Sequence, residues 1–304
     1  MILVTQGSRP SIGLEVFFKS FLSIEKLYQS HFKLFACKSD VEKTLSSLNI
    51  PYSIEKDSLK LSTRSINTNW VEDSKPTLNS LLSALSEISS TDTLVTLPSD
   101  KKSFQQGESN YSGYTQFFRY HFKKENLCMV FKGRENSIGL ITDHIALKDV
   151  PTISSELIIK RAQTMLESSL YKSTQSILFS GLNPHCGEDG LIGSEDSVVT
   201  EAIHELEKAY PSKKFIGPLP ADTIWKHDSF SKSDSFTFFM YHDQGLGVFK
   251  TKNKLIGANI TLGLDFLRMS VDHGTAPDIA YKNSADYSGC LFVLKEAIKR
   301  EIGQ

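Results

Sequence analysis

Short, mostly apolar runs recur along the whole of this chain, and longer stretches with helical spacing lie between them. The runs are ILVTQG (2–7), FKLFAC (32–37), TLVTL (93–97), LCMVF (127–131), SIGLIT (137–142), SILFSGL (176–182) and FTFFMY (236–241). A strand with one wet face alternates apolar and polar residues. A run without that alternation is covered on both faces, which is the condition of parallel strands under crossover helices. Helical stripes supply the covers. Leu14, Phe17, Phe18, Phe21 and Leu22 form one within 13–28, and Leu78, Leu81, Leu82, Leu85 and Ile88 form another. Further helical patterns fall at 153–172, with Thr152 or Ser154 as N-cap, at 196–209, and at 284–301. The expectation is an α/β fold with buried, largely parallel sheets.

With 304 residues, the chain can build one large or two medium domains, each with its own core. Its most polar, glycine- and serine-rich crossing is 98–113, and a domain boundary is expected there. The expected organisation is a first α/β domain of 1–108 and 262–304, with 109–261 as the second. The net charge of −1 gives no electrostatic reason for a nucleic-acid or acidic-membrane partner. Cys37, Cys128, Cys186 and Cys290 form no CxxC pair and suit the reduced thiols of a cytoplasmic protein. The start MILVTQG has the pattern of a strand and not of a signal peptide, and no apolar segment is long enough to span a bilayer. A cytoplasmic location is expected.

Three of the eight histidines stand where apolar runs end. His144 follows SIGLITD, His185 follows SILFSGLNP, and His242 follows FTFFMY. Open α/β sheets bind ligands at the carboxyl ends of their strands, where loops converge on a rigid base. Three imidazoles brought to one point are a ligand set for a catalytic divalent ion with an open position. Gly187, Gly190 and Gly193 behind His185 permit a tight loop. Position alone leaves the plain alternative open, because strand-end histidines are commonly surface or hydrogen-bonded groups and no HExxH signature is present. That plain reading is favoured for His31, His121, His204 and His227.

Four ordered blocks add to this: GLNPHCGEDGLIGSED (181–196), GPLPADTIW (217–225), MYHDQGLGVFK (240–250) and NITLGLDFLRMSVDHGTAPDIA (259–280). Together they resemble the 4-hydroxythreonine-4-phosphate dehydrogenase family of pyridoxal-phosphate biosynthesis, over roughly residues 110–304 and more loosely before. The resemblance implies a fold like that of isocitrate and isopropylmalate dehydrogenases. That fold has two α/β/α domains with a cleft between them, in a homodimer whose active sites are shared across the interface. It implies metal ligation by His144, His185 and His242. Zinc is the preferred ion, one per subunit, with magnesium, cobalt or manganese as the other choices. It implies substrate contacts at Tyr114, Thr115, Lys250, Asn259 and Arg268. It also implies that the loop His273, Gly274, Thr275, Ala276, Pro277 and Asp278 holds NAD or NADP. No GxGxxG follows any expected strand, which agrees with a dinucleotide site of this other kind.

The chain departs from the family at three places. Tyr114 stands where the family has histidine before threonine, the first loop is TQGSRPSIG (5–13), and LPSDK (97–101) keeps Lys101 but has Asp100 in place of a histidine. The implied reaction is oxidation of 4-phosphohydroxy-L-threonine to 2-amino-3-oxo-4-phosphooxybutanoate, which loses carbon dioxide to give 3-amino-2-oxopropyl phosphate. Asp243 is a candidate outer partner of the metal site or proton acceptor, and equally a capping aspartate. Lys101 is a candidate proton carrier, and equally an exposed loop lysine. Lys250 and Arg268 suit a phosphate by charge and by forked donors, although both sit in contexts that ordinary surface cations also occupy. Two other readings stay open. One is a sister dehydrogenase for another phosphorylated hydroxy acid, such as a four-carbon sugar acid phosphate, or for a cyclic dihydrodiol. The other is a non-redox metal hydrolase or a binding protein on the same scaffold.

Overall fold

The computed structural model describes residues 1–104, 111 and 113–303. The elements, in chain order, begin with β1 (Ile2–Thr5), α1 (Gly13–Ser23), β2 (Phe32–Cys37), α2 (Lys38–Ser47), β3 (Tyr52–Ile54), β4 (Ser58–Leu61) and β5 (Arg64–Val71). Next come α3 (Pro76–Glu87), β6 (Thr93–Thr96), α4 (Tyr114–Phe122), β7 (Cys128–Lys132), β8 (Ser137–Leu140) and α5 (Ser155–Glu167). The chain continues with β9 (Ser176–Ser180), α6 (Ser197–Ala209), β10 (Lys214–Leu219), β11 (Ser235–Phe239) and α7 (His242–Asn253). It closes with β12 (Ala258–Leu262), β13 (Leu267–Val271) and α8 (Ser288–Glu301).

These elements form two units. The first holds Met1–Lys123, Leu255–Asn259 and Leu264–Gln304, and the second holds Lys124–Lys254 and Ile260–Gly263. The boundary expected at 108/109 lies outside the described residues, and the first unit runs on through α4 to Lys123. Tyr114 and Thr115 therefore belong to the first unit and not to the second, where the sequence reading put them. Aromatic packing explains the difference: Phe118 and Phe122 of α4 meet Phe266 of the same unit edge-on, at 6.4 and 5.6 Å between ring centroids.

In the first unit the strand order is β13–β6–β1–β2–β5–β4–β3. The strands from β13 to β5 pair in parallel, and β5, β4 and β3 continue as an antiparallel meander. In the second unit the order is β10–β9–β11–β8–β7, parallel except for the β7–β8 hairpin. Every residue of β1, β6 and β11 is buried, as unalternating runs require. The core of the second unit gathers Met129, Phe131, Ile138, Leu140, Leu178, Phe239, Leu246 and Phe249. Burying each such side chain contributes about 1.5–3 kcal/mol before entropy is counted. Gly139 on β8 lets the rings of β11 close over it, since a Cβ there would stand 2.6 Å from the Phe238 ring. Ser154 caps α5, its Oγ accepting from Leu157 N at 3.3 Å. Among the described residues no helix is long and apolar enough to cross a membrane.

Candidate active site

β11 lies between β9 and β8 in the second unit, so the three strands that precede His242, His185 and His144 are immediate neighbours. Side chains tie their carboxyl ends together. Gln244 accepts from Ser180 Oγ and from Met240 N, each at 2.8 Å, and donates to Gly181 O at 2.7 Å, which joins the ends of β9 and β11. Thr142 donates from its hydroxyl to Met240 O at 2.7 Å, which joins β8 to β11. Neither residue was singled out by the sequence. A hydrogen bond between strand ends leaves no periodic trace, and the only signal available was the polar Gln244 inside HDQG.

On this base the rings of His144 and His242 stand 5.5 Å apart. His242 opens α7, and its Nδ1 lies 2.6 Å from Asp243 Oδ1. A carboxylate on Nδ1 favours the tautomer that carries its proton there and leaves Nε2 as the acceptor, as outer partners do in histidine metal sites. Two adjacent imidazoles with such a carboxylate fit the donor chemistry of a divalent ion. Among the described residues, however, no group of three or more His, Cys, Asp or Glu side chains is arranged to hold a metal ion. The structure brings His144 and His242 together and leaves His185 exposed on its own turn.

That turn, Pro184–Gly190, has an unusual backbone. His185, Cys186, Gly187, Glu188, Asp189 and Gly190 all have positive φ, from 43° to 93°. Each L-residue held there costs roughly 1–2 kcal/mol, so something must fix the segment. Asp196, buried just before α6, accepts from Leu182 N at 2.6 Å, Asn183 N at 3.1 Å and Asn183 Nδ2 at 2.9 Å. Its carboxylate thereby fixes the strand exit that carries His185. Asp196→Ala strands two backbone donors, and unfolding in denaturant is expected to show a loss of about 2–4 kcal/mol, at one to two unsatisfied groups' worth. A loss within about 0.5 kcal/mol, the range of an unremarkable surface substitution, would show that the anchor is not needed. Burial, with Asp196 adding to it, pushes the Cys186 thiol up.

The substrate and dinucleotide candidates lie mostly in the first unit. Arg268 on β13 and Tyr114 and Thr115 at the start of α4 are buried. Arg268 donates to Thr96 Oγ1 from Nε at 3.1 Å and from Nη2 at 2.7 Å. Burial pushes its pKa down to about 10, and burial raises that of Tyr114. Tyr114 donates its hydroxyl to Leu97 O at 3.1 Å. Among the described residues, Asn259 Oδ1 and His273 Nε2 are buried polar atoms without a hydrogen-bond partner. His273 Nδ1 stands 3.0 Å from Gly274 O, which makes it the donor and Nε2 the acceptor in the neutral ring. Thr275 O accepts from Ile12 N at 3.0 Å, so the first loop supports the 273–278 loop. Lys101, and Lys250 in the second unit, are exposed. His227, expected to be an ordinary hydrogen-bonded histidine, accepts from Ser229 N at 3.1 Å.

The family described as pyridoxal phosphate biosynthetic protein PdxA matches residues 25–299. A 4-hydroxythreonine-4-phosphate dehydrogenase from Helicobacter pylori (strain J99) is 31% identical over 97% of either chain. The crystal structure of a 4-hydroxythreonine-4-phosphate dehydrogenase from Klebsiella pneumoniae aligns over 99% of both chains with a TM-score of 0.78 at 24% identity. An isocitrate dehydrogenase from Methylococcus capsulatus shares the fold more distantly, with a TM-score of 0.51 at 11% identity. Relatives that are dehydrogenases, matched over nearly the whole of this chain, define an oxidoreductase. The chain belongs to the PdxA family of pyridoxal phosphate biosynthetic proteins, and a dehydrogenase family implies a nicotinamide cofactor.

Proposed function

We propose that this chain oxidises 4-phosphohydroxy-L-threonine at its secondary hydroxyl, with NAD or NADP as oxidant, to 2-amino-3-oxo-4-phosphooxybutanoate. That β-keto acid loses carbon dioxide to give 3-amino-2-oxopropyl phosphate. The observation that carries the reading is the relative of that activity matched over 97% of both chains. His144, His185 and His242 would hold a divalent ion, zinc first, which supplies a Lewis acid when bound, while the dinucleotide on residues 273–278 supplies the hydride acceptor. Asp243 sets the His242 tautomer. Arg268 would meet the phosphate as a fork, with Thr115 of the same unit adding a hydroxyl, and Lys250 is a further candidate cation. Asn259 Oδ1, a buried acceptor without a partner, suits the substrate ammonium. His273 Nε2, in the same condition, suits a donor on the dinucleotide. Lys101 is the candidate carrier of the hydroxyl proton.

Completion of the ligand set by the partner subunit's His185 would fit a homodimer that shares its sites, since among the described residues the His144 and His242 rings are found together without a third ligand. Substrate-dependent reduction of NAD or NADP tests the reading. Turnover is expected with 4-phosphohydroxythreonine and not with 4-phosphothreonate, and it should stop with a chelator and return with zinc. Preference for 4-phosphothreonate would instead establish the four-carbon sugar acid reading.

A further inference from the structure

Arg268 is only 3% exposed, yet its long side chain is held in one orientation from three sides. Thr96 Oγ1 takes two of its N–H groups, as described. The Tyr114 ring centroid lies 4.9 Å from the guanidinium carbon and the Phe118 ring centroid 5.9 Å. Tyr114 and Phe118 are one helical turn apart on α4, and their rings stack at 6.2 Å with an interplanar angle of 21°. The Tyr114 ring is itself tethered, because its hydroxyl donates to Leu97 O just past β6. All of these groups belong to the first unit. A guanidinium stripped of water gains most from an aromatic face, and a planar fork binds an anion well only when its plane is fixed.

We propose that Tyr114 is a positioning residue for Arg268: its tethered ring sets the plane in which the guanidinium meets the anionic end of the substrate. The proposal rests on Arg268 contacting that end. The phenol donates to Leu97 O, and the ring is the part that faces the guanidinium. Loss of the ring frees the arginine's rotamers and weakens substrate binding while leaving the hydride step alone.

The test is steady-state kinetics with 4-phosphohydroxythreonine on Tyr114→Met, Tyr114→Phe and Arg268→Ala, with Tyr114→Leu made if Tyr114→Met does not fold. Calorimetry with inorganic phosphate gives a second readout without turnover. Tyr114→Met is expected to raise KM about tenfold, the scale of one lost cation–π contact, with kcat within about threefold. Phosphate affinity should fall in parallel. Tyr114→Phe keeps the ring and should recover KM to within about threefold of the parent, the scale of one exchanged hydrogen bond. A folded Tyr114→Met or Tyr114→Leu protein with unchanged KM and phosphate affinity overturns the proposal. Loss in Tyr114→Phe as large as in Tyr114→Met also overturns it, because the hydroxyl would then be the working group. Should Arg268→Ala itself leave KM unchanged, the phosphate assignment fails and the proposal falls with it. A raised KM in Arg268→Ala alone removes only the role of Tyr114.

Discussion

Alanine at His242 or at His185 is expected to abolish turnover and to leave bound metal well below one ion per subunit. His242 already has the features of a ligand, with the His144 ring 5.5 Å away and a carboxylate on Nδ1. Removing an outer partner of such a ligand lowers metal affinity about 10- to 100-fold, so removing the ligand itself should lower it further. Asp243→Asn gives the graded comparison: metal should bind about 10- to 100-fold more weakly and activity should return at high metal concentration. For His185 the expectation is more demanding, because its imidazole stands apart from the other two in the single chain. Metal content after dialysis against zinc, measured beside thermal stability, decides the matter. Full occupancy in both alanine variants would remove the metal site from this enzyme.

Arg268→Ala should raise KM for the phosphorylated substrate by about ten- to a hundredfold or more. A charge-assisted hydrogen bond contributes roughly 1.5–3 kcal/mol and each ~1.4 kcal/mol is a factor of ten. Lysine at this position should restore only part of the loss, since an ammonium cannot reproduce the fork or its stacking on the rings. Dinucleotide affinity should stay within about twofold, inside the scatter of additive distant sites, because the 273–278 loop is a separate element. The low pKa of about 10 sharpens the expectation. In the unfolded chain the guanidinium has its ordinary, higher value, so folding disfavours its proton. The resulting penalty is present at neutral pH and is relieved only as pH rises through about 10 and beyond. An anion bound to Arg268 relieves it without any change of pH. Equilibrium binding of substrate that is equally tight in Arg268→Ala would put the phosphate elsewhere.

Much of this arrangement was legible because burial on both faces leaves a continuous apolar run. β2 spans Phe32–Cys37, the expected FKLFAC, and the runs ending before His144, His185 and His242 became β8, β9 and β11. β5 was not legible. Its residues alternate, with Ile66 and Thr68 buried and Ser65 and Asn67 exposed, and two of the polar side chains are asparagines that disfavour strands on propensity. α7 was hidden by Gly245 and Gly247, which weaken a helical pattern. Gly245 is there because a Cβ would stand 2.7 Å from the Phe239 ring. The burial of Arg268 was not legible either. In sequence it resembles a surface cation, and its burial follows from aromatic partners on α4 and a hydroxyl on β6, which are distant in the chain. That His144, His185 and His242 stand just past the ends of β8, β9 and β11 was legible from sequence. The cross-ties through Gln244 and Thr142, and the anchor at Asp196, are contacts between elements that no local pattern encodes.

The left-handed run from His185 to Gly190 also sets how this segment can drift among descendants of the chain. Glycine, asparagine and aspartate enter such backbone easily, whereas valine, isoleucine or threonine at Cys186, Glu188 or Asp189 would be refused on conformational grounds alone. A segment filtered this way changes slowly even where its side chains do nothing chemical. Any invariance around His185 would therefore say little about ion binding, since the backbone would enforce it in either case. His242 begins an ordinary right-handed helix and is free of that filter, so retention of histidine there is the better record of selection for chemistry.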